Sequence, residues 1–87
     1  MEANTMLKIS IYDVECFERF FDSASHQEET VPIDGIQLVN VAASAWIEVH
    51  SKIRTINFVY PGGRELVLKF REQEEFLDTC EKLGRNV

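Results

Sequence analysis

The chain's only thiols and imidazoles are Cys16, Cys80, His26 and His50. Nucleophilic catalysis needs a thiolate or hydroxyl within hydrogen-bond reach of a base, in a polar setting. Both cysteines fall on apolar stripes expected to be helix faces. There a thiol acts as a small hydrophobe and its pKa rises. No motif surrounds either histidine. The four side chains are zinc-ligand types, yet they lack the close paired spacing that marks a zinc site. The expectation is therefore no enzyme, no metal and no cofactor, with both thiols reduced in a reducing compartment.

Pro61-Gly62-Gly63 lacks the spacing of a phosphate-cradling loop, and it joins two alternating segments rather than a strand and a helix. It reads as a hairpin turn. The carboxylates offer a different chemistry. Glu15, Glu18 and Asp22 recur at helical spacing on one segment, and Glu74, Asp78 and Glu81 on another. Two such helices side by side would form an acidic ridge able to mimic a phosphate backbone and block a nucleic-acid-binding protein. The plainer reading is a pair of solvated faces that keep a small domain soluble.

Net charge reinforces the acidic character: −6 over 87 residues. The nine Lys and Arg are scattered, with Lys52 and Arg54 the densest pair. Such a chain is not expected to bind nucleic acid or an anionic membrane directly. No apolar run approaches the ~18 residues of a membrane span, and the start MEANTM has no export-signal pattern. The expected location is cytoplasmic.

The elements that must position these residues follow from periodicity. Residues 7–12 alternate, with Leu7, Ile9 and Ile11 on one face, and read as a strand. Asp13 stands where an N-cap belongs, and Val14, Phe17, Phe20 or Phe21, and Ala24 then recur at three- and four-residue steps, predicting a helix. Residues 26–35 lack periodicity and contain Pro32 and Asp34-Gly35, which predicts a loop. From residue 36 the odd positions Val39, Val41, Ala43, Ala45, Ile47 and Val49 keep one apolar phase, too long for a single strand. The alanines and Ser44 suggest a bend, bulge or break. Residues 55–60 and 64–70 alternate across Pro61-Gly62-Gly63 as a hairpin. Residues 72–83 close the chain as a helix with Phe76, Leu77, Cys80 and Leu83 inward and Gly84 after its end.

The expected architecture is α+β, a single two-layer domain over residues 6–87 after a short tail, 1–5. Its order would be β-α-β(β)-β-β-α: a mostly antiparallel sheet of four or five strands with two helices on one face. The covered face would hold Ile47, Val49, Ile56, Phe58, Leu66, Leu68 and Phe70. The other face would carry Trp46, Glu48, His50, Thr55, Asn57, Val59, Glu65, Val67 and Lys69.

Trp46, the single tryptophan, thus travels with polar neighbours. Tryptophan is enriched at interface hot spots, and Trp46, Glu48, His50, Val59 and Val67 would form an apolar centre with a polar rim. The alternative is that segment 26–35, with Val31, Pro32 and Ile33, folds over Trp46. The functional expectation is a small acidic interaction or regulatory module that binds a protein partner or forms a homodimer. The acidic inhibitor is its rival.

Overall fold

The computed structural model describes residues 6–9, 14–33 and 37–84. In chain order the strands are β1 (Met6–Ile9), β2 (Val14–Asp22), β3 (Gln27–Ile33), β4 (Gln37–Asn40), β5 (Trp46–His50), β6 (Thr55–Val59) and β7 (Glu65–Phe70). Helix α1 (Gln73–Gly84) follows. Five strands form an antiparallel sheet in the order β3-β2-β7-β6-β5, and β1 pairs with β4 in a separate ribbon. The fold is α+β. Asp13, Ile11, the turn pair Asp34-Gly35, Arg85 and the tail 1–5 lie outside the described residues.

One helix is present among the described residues where two were expected. Residues 14–22 are strand β2, paired with β7 on one side and β3 on the other. The helical spacing of Val14, Phe17, Phe20 and Phe21 coexists with a strict alternation: Val14 and Cys16 inward, Glu15, Phe17, Arg19 and Phe21 on the opposite face. Valine and phenylalanine favour pleated surfaces, and a central strand satisfies its backbone on both edges. The strand ends at a tight turn. Asp22 Oδ1 accepts a bond from the Ala24 N–H at 3.0 Å, and His26 adopts φ +57° to reverse the chain. Asp and His tolerate such positions better than most residues.

The expected loop at 26–35 is strand β3 over its described part. As an edge strand exposed on both faces, it needs no apolar alternation, which is why periodicity missed it. Pro32 is tolerated because an edge leaves one row of N–H groups unpaired. The long apolar phase after residue 36 does break as expected. A 3-10 turn at Val41–Ala43 separates β4 from β5, and the Ala45 and Trp46 segment bulges as the Ala45 N–H bonds Val59 O at 2.7 Å. Gly62 and Gly63 both take positive φ, +94° and +87°, in the β6–β7 turn.

The core gathers on one sheet face. Val14, Cys16, Ile56, Phe58, Leu68 and Phe70 are buried beneath Phe76 of α1 and Val39 of the ribbon. The ribbon thus takes the place of the missing helix. Phe70 and Phe76 meet edge to face at 5.9 Å between ring centres. In α1, Phe76 and Thr79 are buried and Cys80 and Leu83 pack against the core, whereas Leu77, expected inward, is exposed.

The acidic ridge does not assemble. Glu15, Glu18 and Asp22 stand on a strand, so Glu15 projects to the face opposite Glu18 and Asp22. Glu18 pairs with Arg64 at 3.2 Å. On α1, Asp78 pairs with Lys82 at 3.5 Å, while Glu74 and Glu81 have no counterpart helix beside them among the described residues.

Candidate functional site

The sheet face away from α1 is built by alternation and register. Strand β6 contributes Thr55, Asn57 and Val59; β7 contributes Glu65, Val67 and Lys69; β5 contributes Trp46, Glu48 and His50. Trp46 lies directly opposite Val59, Glu48 opposite Asn57 and His50 opposite Thr55. Val67 lies opposite Asn57, one diagonal step from Val59. The expected grouping of Trp46, Glu48, His50, Val59 and Val67 on one face is therefore what the register produces.

Strand β2 adds Phe17 and Arg19, which the helical reading had placed elsewhere. Phe17 pairs with Val67 and Arg19 with Glu65. The Arg19 Nη1 to Glu65 Oε1 distance is 2.9 Å. The odd-position sequence Glu15, Phe17, Arg19, Phe21 was the signal available for them.

A groove of about 470 Å³ runs over this face, lined by Arg19, Glu48, His50, Asn57 and Lys69 among others. Its floor is already out of water: Thr55, Asn57 and Val67 are only 6–9% exposed, and Val59, the next outward residue of β6, is buried as well. No described element of the chain lies over them from the groove side. Thr55 turns its hydroxyl to Ile53 O at 3.0 Å. Asn57 Oδ1 is buried with no hydrogen-bond partner among the described residues. An acceptor left in that state costs ~1–3 kcal/mol.

Glu48 organises the rim. One carboxylate oxygen accepts the indole N–H of Trp46 at 3.0 Å, and the other lies 3.5 Å from His50 Nε2. This explains the company Trp46 keeps. Its polar N–H is satisfied by a neighbour two residues on, and the residue remains 57% exposed. The described part of segment 26–35, residues 26–33, does not cover it. Strand β3 occupies the opposite edge of the sheet, four strand spacings or roughly 19 Å away.

The thiols offer little nucleophilicity. Burial pushes the Cys16 thiol up to about 11 and raises that of Cys80 as well. Both cysteines are unbridged. Among the described residues, no three His, Cys, Asp or Glu side chains gather as a metal-binding group, and no helix is long and apolar enough to cross a membrane.

The Cys16 shift carries a stability consequence. The folded-state pKa lies above the unfolded value of 9.0, so the neutral thiol's contribution is intact below pH 9 and is lost as pH rises toward 11. Tyr60, also raised by burial, acts in the same direction. Urea midpoints measured from pH 8 to 11 should fall further in the wild type than in Cys16→Val. Parallel profiles would contradict the assignment.

No protein-family model matches the chain, and comparisons with curated proteins and with solved structures give no significant match.

Proposed function

We propose that this protein is a non-enzymatic binding module whose protein partner docks on the groove face, with Trp46 as its anchor. The observation that carries this reading is a floor that is already desolvated and that no described element of the chain covers. Thr55, Asn57 and Val67 are buried beneath an open groove, Asn57 with an acceptor unmatched among the described residues, and an exposed tryptophan stands on the same face beside them. A desolvated centre inside a polar rim is the anatomy of a protein interface. Glu48 holds the indole by its N–H, so little side-chain freedom remains to be lost on binding. Burial that keeps both thiols protonated supports binding over catalysis.

The test compares capture of partners from the native host by wild type, Trp46→Ala and Leu77→Ala, the last an exposed residue on α1. A partner retained by wild type and Leu77→Ala should be lost by Trp46→Ala, with affinity for the purified partner reduced about 30-fold or more. The tryptophan emission of the wild type should shift to the blue as the partner is added. Equal capture by all three chains would overturn the reading. Trp46→Ala should leave stability within about 0.5–1 kcal/mol, because the ring is exposed in the isolated chain.

A further inference from the structure

The two edges of the sheet are not equivalent. The Phe70 N–H bonds Arg54 O at 2.9 Å, which assigns the even residues of β6 and β7 to each other. Continuing the alternation across the sheet, β3 turns the backbone of Glu28, Thr30 and Pro32 outward, and β5 that of Ile47 and Val49. On β3 the outward row is interrupted by a proline with no N–H and flanked by Glu28 and Glu29, devices that blunt an edge against pairing. Strand β5 has no proline and no lysine, and among the described residues it pairs only with β6. Three of the large exposed hydrophobic residues stand on it or in the turn that follows: Trp46, Val49 at 49% and Ile53 at 59% exposure.

We propose that β5 pairs antiparallel with β5 of a second copy of this chain, about a two-fold axis at Val49. An isologous pair must match outward-facing backbone with outward-facing backbone, which leaves few registers. Centring on Ile47 would call on the Ala45 N–H, already bonded to Val59 O. Centring on Glu48 sets two carboxylates directly opposite each other in a closely spaced pair, a destabilising arrangement. Centring on Val49 sets Val49 against its own copy on the core side. On the groove side it sets Glu48 of each copy opposite His50 of the other. The acceptor and donor then match twice by symmetry. The result is a continuous ten-stranded sheet with two grooves on one face.

The shared edge is short, so association should be weak, with a dissociation constant of about 10 µM to 1 mM. Sedimentation equilibrium on the full chain, without any partner, tests it. The wild-type mass should rise from 10.1 kDa toward twice that value with concentration. Val49→Pro removes an N–H that the β5–β6 ladder does not use, and should remain monomeric with an unchanged circular dichroism spectrum. Val49→Lys, which keeps the N–H but places a charge at the axis, should weaken association at least fivefold and serves if the proline variant is unfolded. The exchange Glu48→His with His50→Glu preserves the match and should dimerise within about threefold of wild type. A wild-type mass fixed at 10.1 kDa up to about 1 mM, or a folded Val49→Pro or Val49→Lys chain that associates like wild type, would overturn the proposal. Either outcome leaves partner capture through Trp46 standing, because the self-association measurement contains no partner.

Discussion

Phe58→Ala is expected to lower the unfolding free energy by about 3–5 kcal/mol and the thermal midpoint by roughly 15–30 °C. Phe58 has no exposed surface and lies in β6 between Ile47 of β5 and Leu66 of β7. It belongs to the cluster that includes Phe76 of α1 and Val39 of the ribbon, so it lies where the three structural layers meet. Truncation removes a buried aromatic ring and leaves a cavity that a sheet bonded on both sides cannot easily close. A domain of this size has a total stability of about 5–10 kcal/mol, so the loss is a large fraction of it. Urea titration followed by circular dichroism measures the effect, with Phe21→Ala as control. Phe21 is mostly exposed and its truncation should cost less than about 1 kcal/mol. Similar midpoints for the two variants would mean that the core is not where the structure places it.

Asn57→Leu should move stability the other way. Leucine branches at the same carbon as asparagine and has nearly the same reach, but carries no polar atom. Replacement deletes an Oδ1 that has no partner among the described residues and places apolar surface beside Val67 and Val59. The expected gain is about 1–2 kcal/mol, since a buried acceptor without a donor costs that order of free energy. The same change should weaken partner binding by about tenfold or more, because the groove loses the polar atoms of its floor. Opposite signs for stability and binding are the signature of a residue kept for function. If Asn57→Leu destabilises the fold, or binds the partner as well as wild type, the residue is structural and the groove's floor plays no part in recognition. Thermal melts and a titration with the purified partner separate the outcomes.

The carboxy-terminal half of the fold was legible for the most part, with Val49 and Leu77 expected on covered faces and found exposed. Alternation in 55–60 and 64–70, the glycine pair between them and the stripe of α1 rested on side chains with one buried face each. The break before β5 was visible because alanines and Ser44 interrupt an apolar phase. The first half was not legible for two distinct reasons. In β2 the helical steps Val14, Phe17 and Phe20 or Phe21 overlie the strand alternation of Val14 and Cys16 with Glu15, Phe17 and Arg19, and the choice was settled by partners remote in sequence, with Arg19 reaching a glutamate 46 residues away. In β3 both faces meet solvent, so no hydrophobic pattern existed to be read. The candidate site was half legible on the same grounds. Trp46, Glu48, His50, Val59 and Val67 come from strands the alternation exposed, while Phe17 and Arg19 come from the strand it concealed. That β3 lies at the edge opposite Trp46 depended on strand order, which periodicity does not encode.

The antiparallel pairing of β2 with β7 has a kinetic consequence. It joins residues near the start of the chain to residues near its end, Val14 with Phe70, whereas β5, β6 and β7 follow one another through short turns. Closing so long a loop costs chain entropy before any contact between its ends is gained. The meander of β5 to β7 with α1 is therefore the natural nucleus, and annealing of the β2–β3 hairpin onto it is the slow event of folding. During that interval β7 offers a bare hydrogen-bonding edge to any strand that arrives first, so newly synthesised chains are most open to mispairing just before the amino-terminal hairpin docks.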